Sequence, residues 1–132
     1  MIDSRTIRLA LASLFVVPTA IATWASAADA PAFDGKYTFS EDGYRQRADI
    51  ARTASGYSVS IVVGTEGCSG SFDGAGTVEG GKLIAHTTDP DFKDDKCRIE
   101  ISRTAHGITV DENDCQTWHG PSCGFDGTLR KR

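Results

Sequence analysis

Ile99-Glu100-Ile101-Ser102-Arg103-Thr104-Ala105-His106-Gly107-Ile108-Thr109-Val110 is the stretch whose reading decides the fold. Two apolar pairs, each with its members two residues apart, flank a short polar segment, which is the period of a half-buried strand rather than of a helix. For the two pairs to share one buried face, Ile101 must stand opposite Val110, which places a tight turn at Ala105-His106. The prediction is an antiparallel hairpin.

The same alternation extends outward in both directions. Tyr57, Val59, Ile61 and Val63 alternate with Ser58 and Ser60, and Tyr37 with Phe39 and Leu83 with Ala85 repeat the pattern. Eight strands are predicted, over 35–40, 43–53, 57–64, 71–79, 82–88, 96–104, 107–114 and 123–130. The connections at 54–56, 80–81 and 105–107 are tight, whereas those at 65–70, 89–95 and 115–122 are long. Successive connections of a meander fall on opposite ends, so the long ones share one end with all four cysteines. The expected fold is all-β: a small antiparallel eight-stranded up-and-down barrel or meander, stapled by disulfides, whose closure would remove the sheet edges.

The four cysteines are Cys68, Cys97, Cys115 and Cys123. An even count in a small exported chain implies two disulfides. In the hairpin register Cys97 lies opposite Asp114, so strict alternation turns Cys115 to the other face and disfavours a Cys97–Cys115 bridge. Cys68–Cys97 with Cys115–Cys123 is then the preferred pairing. A zinc site is the rival, because Cys115, His119 and Cys123 are spaced four apart, but the paired short Cys spacing of structural zinc modules is missing. No metal and no cofactor are expected.

Export is read from residues 1–27. Arg5 and Arg8 give a basic start, Leu9 to Val17 an apolar stretch too short to span a bilayer, and Ala25-Ser26-Ala27 the small residues of a cleavage site. The expectation is a signal peptide cleaved after Ala27, a single domain over residues 28–132, and a periplasmic location. No Cys follows the cleavage site for lipid attachment, and no later apolar run is long enough for membrane insertion. The whole chain holds 14 Lys+Arg and 18 Asp+Glu. Removing Asp3, Arg5 and Arg8 leaves 12 and 17, a net charge of −5 for residues 28–132 with His neutral. That balance argues against nucleic acid and anionic membrane surfaces and suits a basic partner, although acidity also serves solubility.

Chemistry is sparse. His86 falls mid-strand and His106 in a tight turn, both read as structural or simply exposed. His119 belongs to Trp118-His119-Gly120-Pro121-Ser122, a short loop between two cysteines, which preorganises an aromatic ring, an imidazole and a hydroxyl for contact with a partner. Alternatively, Trp118 folds inward as a cap and His119 is satisfied by backbone. Ser122 and His119 lack a marked orienting group or oxyanion hole, and no paired carboxylates stand in a hydrolase motif, so no enzyme is expected. Asp89, Asp91, Asp95 and Glu100 imitate a calcium loop, but Lys93 and Asp94 break it, and the segment reads as a solvated acidic loop. Phe-Asp-Gly occurs at 33–35, 72–74 and 125–127, read as an aromatic plug beside a glycine that lets a strand bend.

Ser69-Gly70-Ser71, followed after Phe72-Asp73 by Gly74-Ala75, partly matches the motif Ser-Gly-Ser-Gly-Ala-x-Tyr of the bacterial periplasmic and membrane-bound lysozyme inhibitors. The second motif of that family, Tyr-x-x-Thr-Lys-Gly, is absent. The run from Cys115 to Gly127, with Trp-His-Gly and Cys-Gly-Phe-Asp-Gly, also looks like a C-terminal module of small bacterial envelope proteins associated with lysozyme inhibition. The chain as a whole resembles these inhibitors, small barrels that place a rim loop into the two-carboxylate cleft of a lysozyme. The resemblance implies a binding protein directed at a lysozyme-like muramidase, host or endogenous. In that reading Ser69, Gly70 and Ser71 meet the target's carboxylates, and Trp118, His119 and Ser122 line the contact. The other expectation is a barrel that binds a small ligand or glycan without inhibiting anything, for which an interior cavity is the distinguishing feature.

Overall fold

The computed structural model describes residue 21 and residues 32–132. Apart from Ile21, the predicted signal peptide and its cleavage site lie outside the described residues. The barrel unit spans Pro31–Arg132.

Eight strands run in order around a closed antiparallel barrel: β1 (Gly35–Glu41), β2 (Tyr44–Thr53), β3 (Gly56–Thr65), β4 (Cys68–Glu79), β5 (Lys82–Thr87), β6 (Arg98–Arg103), β7 (Gly107–Asn113) and β8 (Gly127–Lys131). Each strand pairs with the next, and β1 closes on β8 through Tyr37↔Lys131 and Thr38↔Arg130. The founding hairpin has the predicted register, Ile101 opposite Val110, with Thr104 N–H donating to Gly107 O across the turn at 2.9 Å. Alternation is cleanest in β3, where Tyr57, Val59, Ile61 and Val63 are buried.

The interior is filled with side chains. Phe33, Phe72 and Phe125, the aromatic members of the three Phe-Asp-Gly segments, are all fully buried, joined by Ile61, Leu83, Ile99, Ile101, Ile108 and Leu129. Phe72 meets Phe125 edge to face at 6.3 Å between centroids, and Phe33 meets Tyr57 in the same way at 5.9 Å. Such contacts add roughly 1 kcal/mol each beyond area burial. The one polar side chain classed as buried among the described residues, Gln46, donates from Nε2 to Phe125 O at 2.6 Å and so ties β2 to the approach of β8.

Three expectations need correction. Residues 65–70 do not form a long connection: Glu66-Gly67 is a two-residue turn, with Gly67 at φ 76°, and β4 already begins at Cys68. Cys68, Gly70 and Phe72 continue the inward alternation, which extends the strand three residues beyond the predicted start. β8 begins at Gly127 rather than 123, because Gly124 and Phe125 carbonyls are taken by Tyr44 Oη and Gln46 Nε2 instead of by a neighbouring strand. Two long connections therefore remain, 88–97 and 114–126. With the tight turns at 42–43 and 66–67 they form one end of the barrel, here called the rim.

The third correction is the disulfide pairing. The bridges are Cys68–Cys123 and Cys97–Cys115, not Cys68–Cys97 with Cys115–Cys123. The hairpin register behind the prediction holds, with Arg98 opposite Asn113 as the last pair. Asp114, however, takes a left-handed conformation with φ 57°, which ends the alternation and swings Cys115 back toward Cys97, their Cα atoms 4.4 Å apart. The bridges are nested, at sequence separations of 55 and 18. Loops of that length correspond to roughly 4 and 3 kcal/mol in the chain-entropy treatment. With every cysteine bridged, the rival zinc site has no thiolate to use.

Candidate functional site

The rim is held by both disulfides, and each fastens a different part of it. Cys97–Cys115 joins the end of the 88–97 connection to the start of the 114–126 connection, and Cys123–Cys68 fastens the latter to the first residue of β4. The segment 115–123 is thus clamped at both ends, although to β4 and to the residue that precedes β6 rather than to itself.

Between the clamps, residues Gln116–Trp118 make one 3₁₀ turn, and His119 then forms an isolated antiparallel bridge with Gly70. Gly120 N–H donates to Ser69 O at 3.1 Å. Gly70 occupies an inward position, and a Cβ there would lie 2.3 Å from His119 Cβ and 2.8 Å from Trp118 O. Only glycine lets the loop backbone come this close to β4.

His119 faces inward. Its Nδ1 lies 2.7 Å from Gly120 O and its Nε2 2.8 Å from Glu112 Oε1, and its ring stands edge-on to Phe125 at 5.1 Å. Both neighbours are acceptors, so an imidazolium satisfies both contacts and a neutral ring satisfies one. Burial works against the charge, but the Gly120 carbonyl and then the Glu112 carboxylate outweigh it, and the imidazole is held above its usual 6.5. Glu112 also accepts Phe125 N–H through Oε2 at 2.6 Å, while its own N–H donates to Asp126 Oδ1 at 2.7 Å. Tyr44 Oη donates to Gly124 O nearby, and its phenol is pushed up by burial, then by Glu112 and Asp126. His119 and Glu112 thus fasten the loop to β7, and neither ring nitrogen is left to activate Ser122, which is exposed.

Trp118 packs against the core, edge-on to Phe72 at 6.2 Å, and its Nε1 is buried without an acceptor. Phe92 covers it from the other long connection, 5.0 Å between centroids, while remaining 40 % exposed. Phe92 ends the 3₁₀ turn Pro90–Phe92, which Asp89 caps by accepting Asp91 N–H at 2.9 Å. Asp95 in turn accepts Cys97 N–H at 2.7 Å. Two carboxylates of the apparent calcium loop therefore hold the loop's own backbone. Among the described residues no group of His, Cys, Asp and Glu is arranged to hold a metal ion.

Ser69 and Ser71 are exposed, but they lie on the outer face of β4. Ser71 is paired with Val62 and Ser69 with Gly64, so both belong to the barrel wall beside the rim rather than to its mouth. Of the residues singled out from sequence, the structure brings Gly70, Trp118 and His119 together, sets Ser122 exposed in the same loop, and leaves Ser69 and Ser71 on the adjoining wall.

Sequence reasoning missed two members of this site. Glu112 continues the inward series Ile108, Val110, so a carboxylate at an apolar position was the readable signal. Phe92 is a lone aromatic in Asp89-Pro90-Asp91-Phe92-Lys93-Asp94-Asp95, an odd residue for a purely solvated loop. The four rim connections together hold eight Asp or Glu and two Lys, whereas the three turns at the opposite end, 54–55, 80–81 and 104–106, hold none of these. Compared with protein-family models, with curated proteins and with solved structures, the chain matches nothing.

Proposed function

We propose that this protein is an exported, periplasmic binding protein that blocks a basic, lysozyme-like peptidoglycan hydrolase with its rim. The observation that carries the reading is the Phe92–Trp118 pair, an exposed aromatic ring tilted against a half-buried one, set in an acidic rim fastened by two disulfides. Rigid aromatic residues are the usual anchors of a tight interface, because they bury much area while losing little conformational freedom. A rim with eight carboxylates and two ammonium groups among its connections attracts a cationic enzyme and speeds encounter. Two bridges that close long loops suit an oxidising compartment.

In this reading Phe92 and Trp118 occupy the cleft of the hydrolase, Asp91 and Asp94 meet its basic flanks, and Ser122 hydrogen-bonds at the edge. His119 and Gly70 shape the loop and make no contact with the enzyme, while Ser69 and Ser71 contact it only if its cleft wall reaches over the rim onto β4. The filled interior supports this use of the rim over storage of a ligand inside the barrel.

The test is capture from a periplasmic extract on the purified protein, followed by a muramidase assay on whatever is retained and on purified lysozymes. The proposal expects a retained muramidase whose digestion of peptidoglycan slows in proportion to added protein. Retention of no muramidase, with undiminished digestion by every lysozyme tried, would refute it.

A further inference from the structure

The outer face of β8, β1, β2 and β3 has a charge opposite to that of the rim. Lys36, Arg45, Arg47, Arg130 and Arg132 project there, against the single side-chain carboxylate of Asp49. Cross-strand pairing places them in register. Arg130 and Arg47 stand on either side of Thr38, Arg47 is also paired with Val62, and one row nearer the rim Ser40 pairs with Arg45 and Arg45 with Gly64. Arg132 extends this face, its N–H donating to Lys36 O at 2.9 Å.

Of these residues Arg45, Arg47 and Arg132 line an open depression of about 570 Å³, together with Thr38, Ser40 and Val62. Arg47 Nε lies 3.1 Å from Asp49 Oδ2. Among the described residues Arg45, Arg130 and Arg132 have no carboxylate within ion-pair distance. Unpaired like charges gathered on one face of an acidic protein raise its energy unless an anion neutralises them, because neighbours this close repel one another.

We infer that this wall binds an acidic glycan, a sugar chain carrying carboxylates. Guanidinium groups recognise carboxylates and phosphates alike through paired N–H donors, so the choice between them rests on spacing and lining. Arg45 and Arg47 are roughly 7 Å apart along one strand, and Arg47 and Arg130 roughly 10 Å apart across two strand intervals. That spacing suits one anion per sugar or two rather than the contiguous phosphates of a polyphosphate. Thr38 and Ser40 offer hydroxyls to sugar hydroxyls, and Val62, 43 % exposed, offers an apolar surface to a sugar face. Phe39 borders the groove, but its ring packs against the barrel core and Tyr44 and is not offered as a platform for a base, which disfavours single-stranded nucleic acid. The inference concerns a different surface from the rim and stands whether or not the rim blocks a hydrolase.

The test is a titration of the full chain with an oligogalacturonate, a neutral malto-oligosaccharide of equal length and inorganic phosphate. Binding of the oligogalacturonate is expected to weaken as salt is raised and to fall about tenfold in R45Q/R47Q, each glutamine removing one charge-assisted contact. K82Q/R98Q, on the outer face of β5 and β6 where both side chains reach Glu100, is expected to bind as the unaltered chain does. Both pairs lie on exposed strand faces, and an unchanged unfolding midpoint verifies that each variant is folded. Absence of oligogalacturonate binding at low salt, equal affinity for the neutral oligomer, equal affinity for inorganic phosphate, or an unaffected R45Q/R47Q would each overturn the inference.

Discussion

The rim and the β8–β1–β2–β3 wall are made from the same sheet but present opposite chemistry. The wall is regular: every residue is set by a ladder register, side chains alternate, and arginines stand in rows with serine, threonine and valine. The rim is irregular, with two one-turn 3₁₀ segments, a left-handed Asp114, a histidine-to-glutamate clamp and two disulfides holding a pair of aromatic rings. A strand offers repeated, evenly spaced groups suited to a repeating ligand, whereas a clamped loop offers a single shape suited to one cleft. The difference teaches that the two surfaces are set apart by more than the sign of their charge: the degree of covalent and hydrogen-bonded fixation separates them as well.

The strongest way to break the contrast is to remove the fixation. Replacing Cys68 and Cys123 by serine is expected to cost about 2–5 kcal/mol, read as a lower urea midpoint, and to abolish rim binding. Binding by the wall, which depends on the ladder, is expected to persist at temperatures where the variant remains folded.

A smaller change separates loop from barrel. In Gly70→Ala the new Cβ meets His119 Cβ at 2.3 Å and must push the 118–120 segment outward. A loss of about 1–3 kcal/mol is expected, as for overpacking elsewhere, together with altered tryptophan fluorescence from Trp118. An unchanged fluorescence spectrum and midpoint would mean that the close approach of the loop to β4 does not govern the rim.

The His119–Glu112 clamp predicts a pH dependence. The folded imidazole is held above 6.5, so the pair contributes fully below the unfolded value of 6.5, and its contribution is lost as pH rises through the higher folded value. The difference in urea midpoint between the unaltered chain and His119→Gln is therefore expected to shrink from acid to alkaline pH. A difference that stays constant, or grows, would show that the ring is not charged in the folded protein.

Much of this was legible in the residues. The Ile99–Val110 hairpin was readable because a one-residue slip would turn four apolar side chains to solvent, and its register held. The eight-strand count followed from alternation, and the shared end of the cysteines from the order of the connections, even though the one at 65–70 is tight. The disulfide pairing did not, because the alternation argument assumed an extended Asp114, and one left-handed residue reverses which face the next side chain takes. The role of His119 was open for a related reason: sequence spacing shows that a histidine lies between two clamps, but only the register of β7 shows that Glu112 points inward to meet it. Phe92 was hidden by its acidic neighbours. The arginine rows were invisible because they require the order of four strands, including the closure of β8 onto β1.

The smallest perturbation to the fold is the most pointed for function. Phe92 is partly exposed and caps Trp118, so Phe92→Ala is expected to leave the unfolding midpoint nearly unchanged. The direct measurement is the inhibition constant of the purified protein toward a basic muramidase, taken with the unaltered chain and with Phe92→Ala. The account predicts inhibition by the unaltered chain that weakens about tenfold or more in the variant, the loss of roughly 1.4 kcal/mol or more that marks an interface anchor. Equal inhibition by both would contradict the assignment of the rim aromatics as the contact, and no inhibition by the unaltered chain would contradict the function itself.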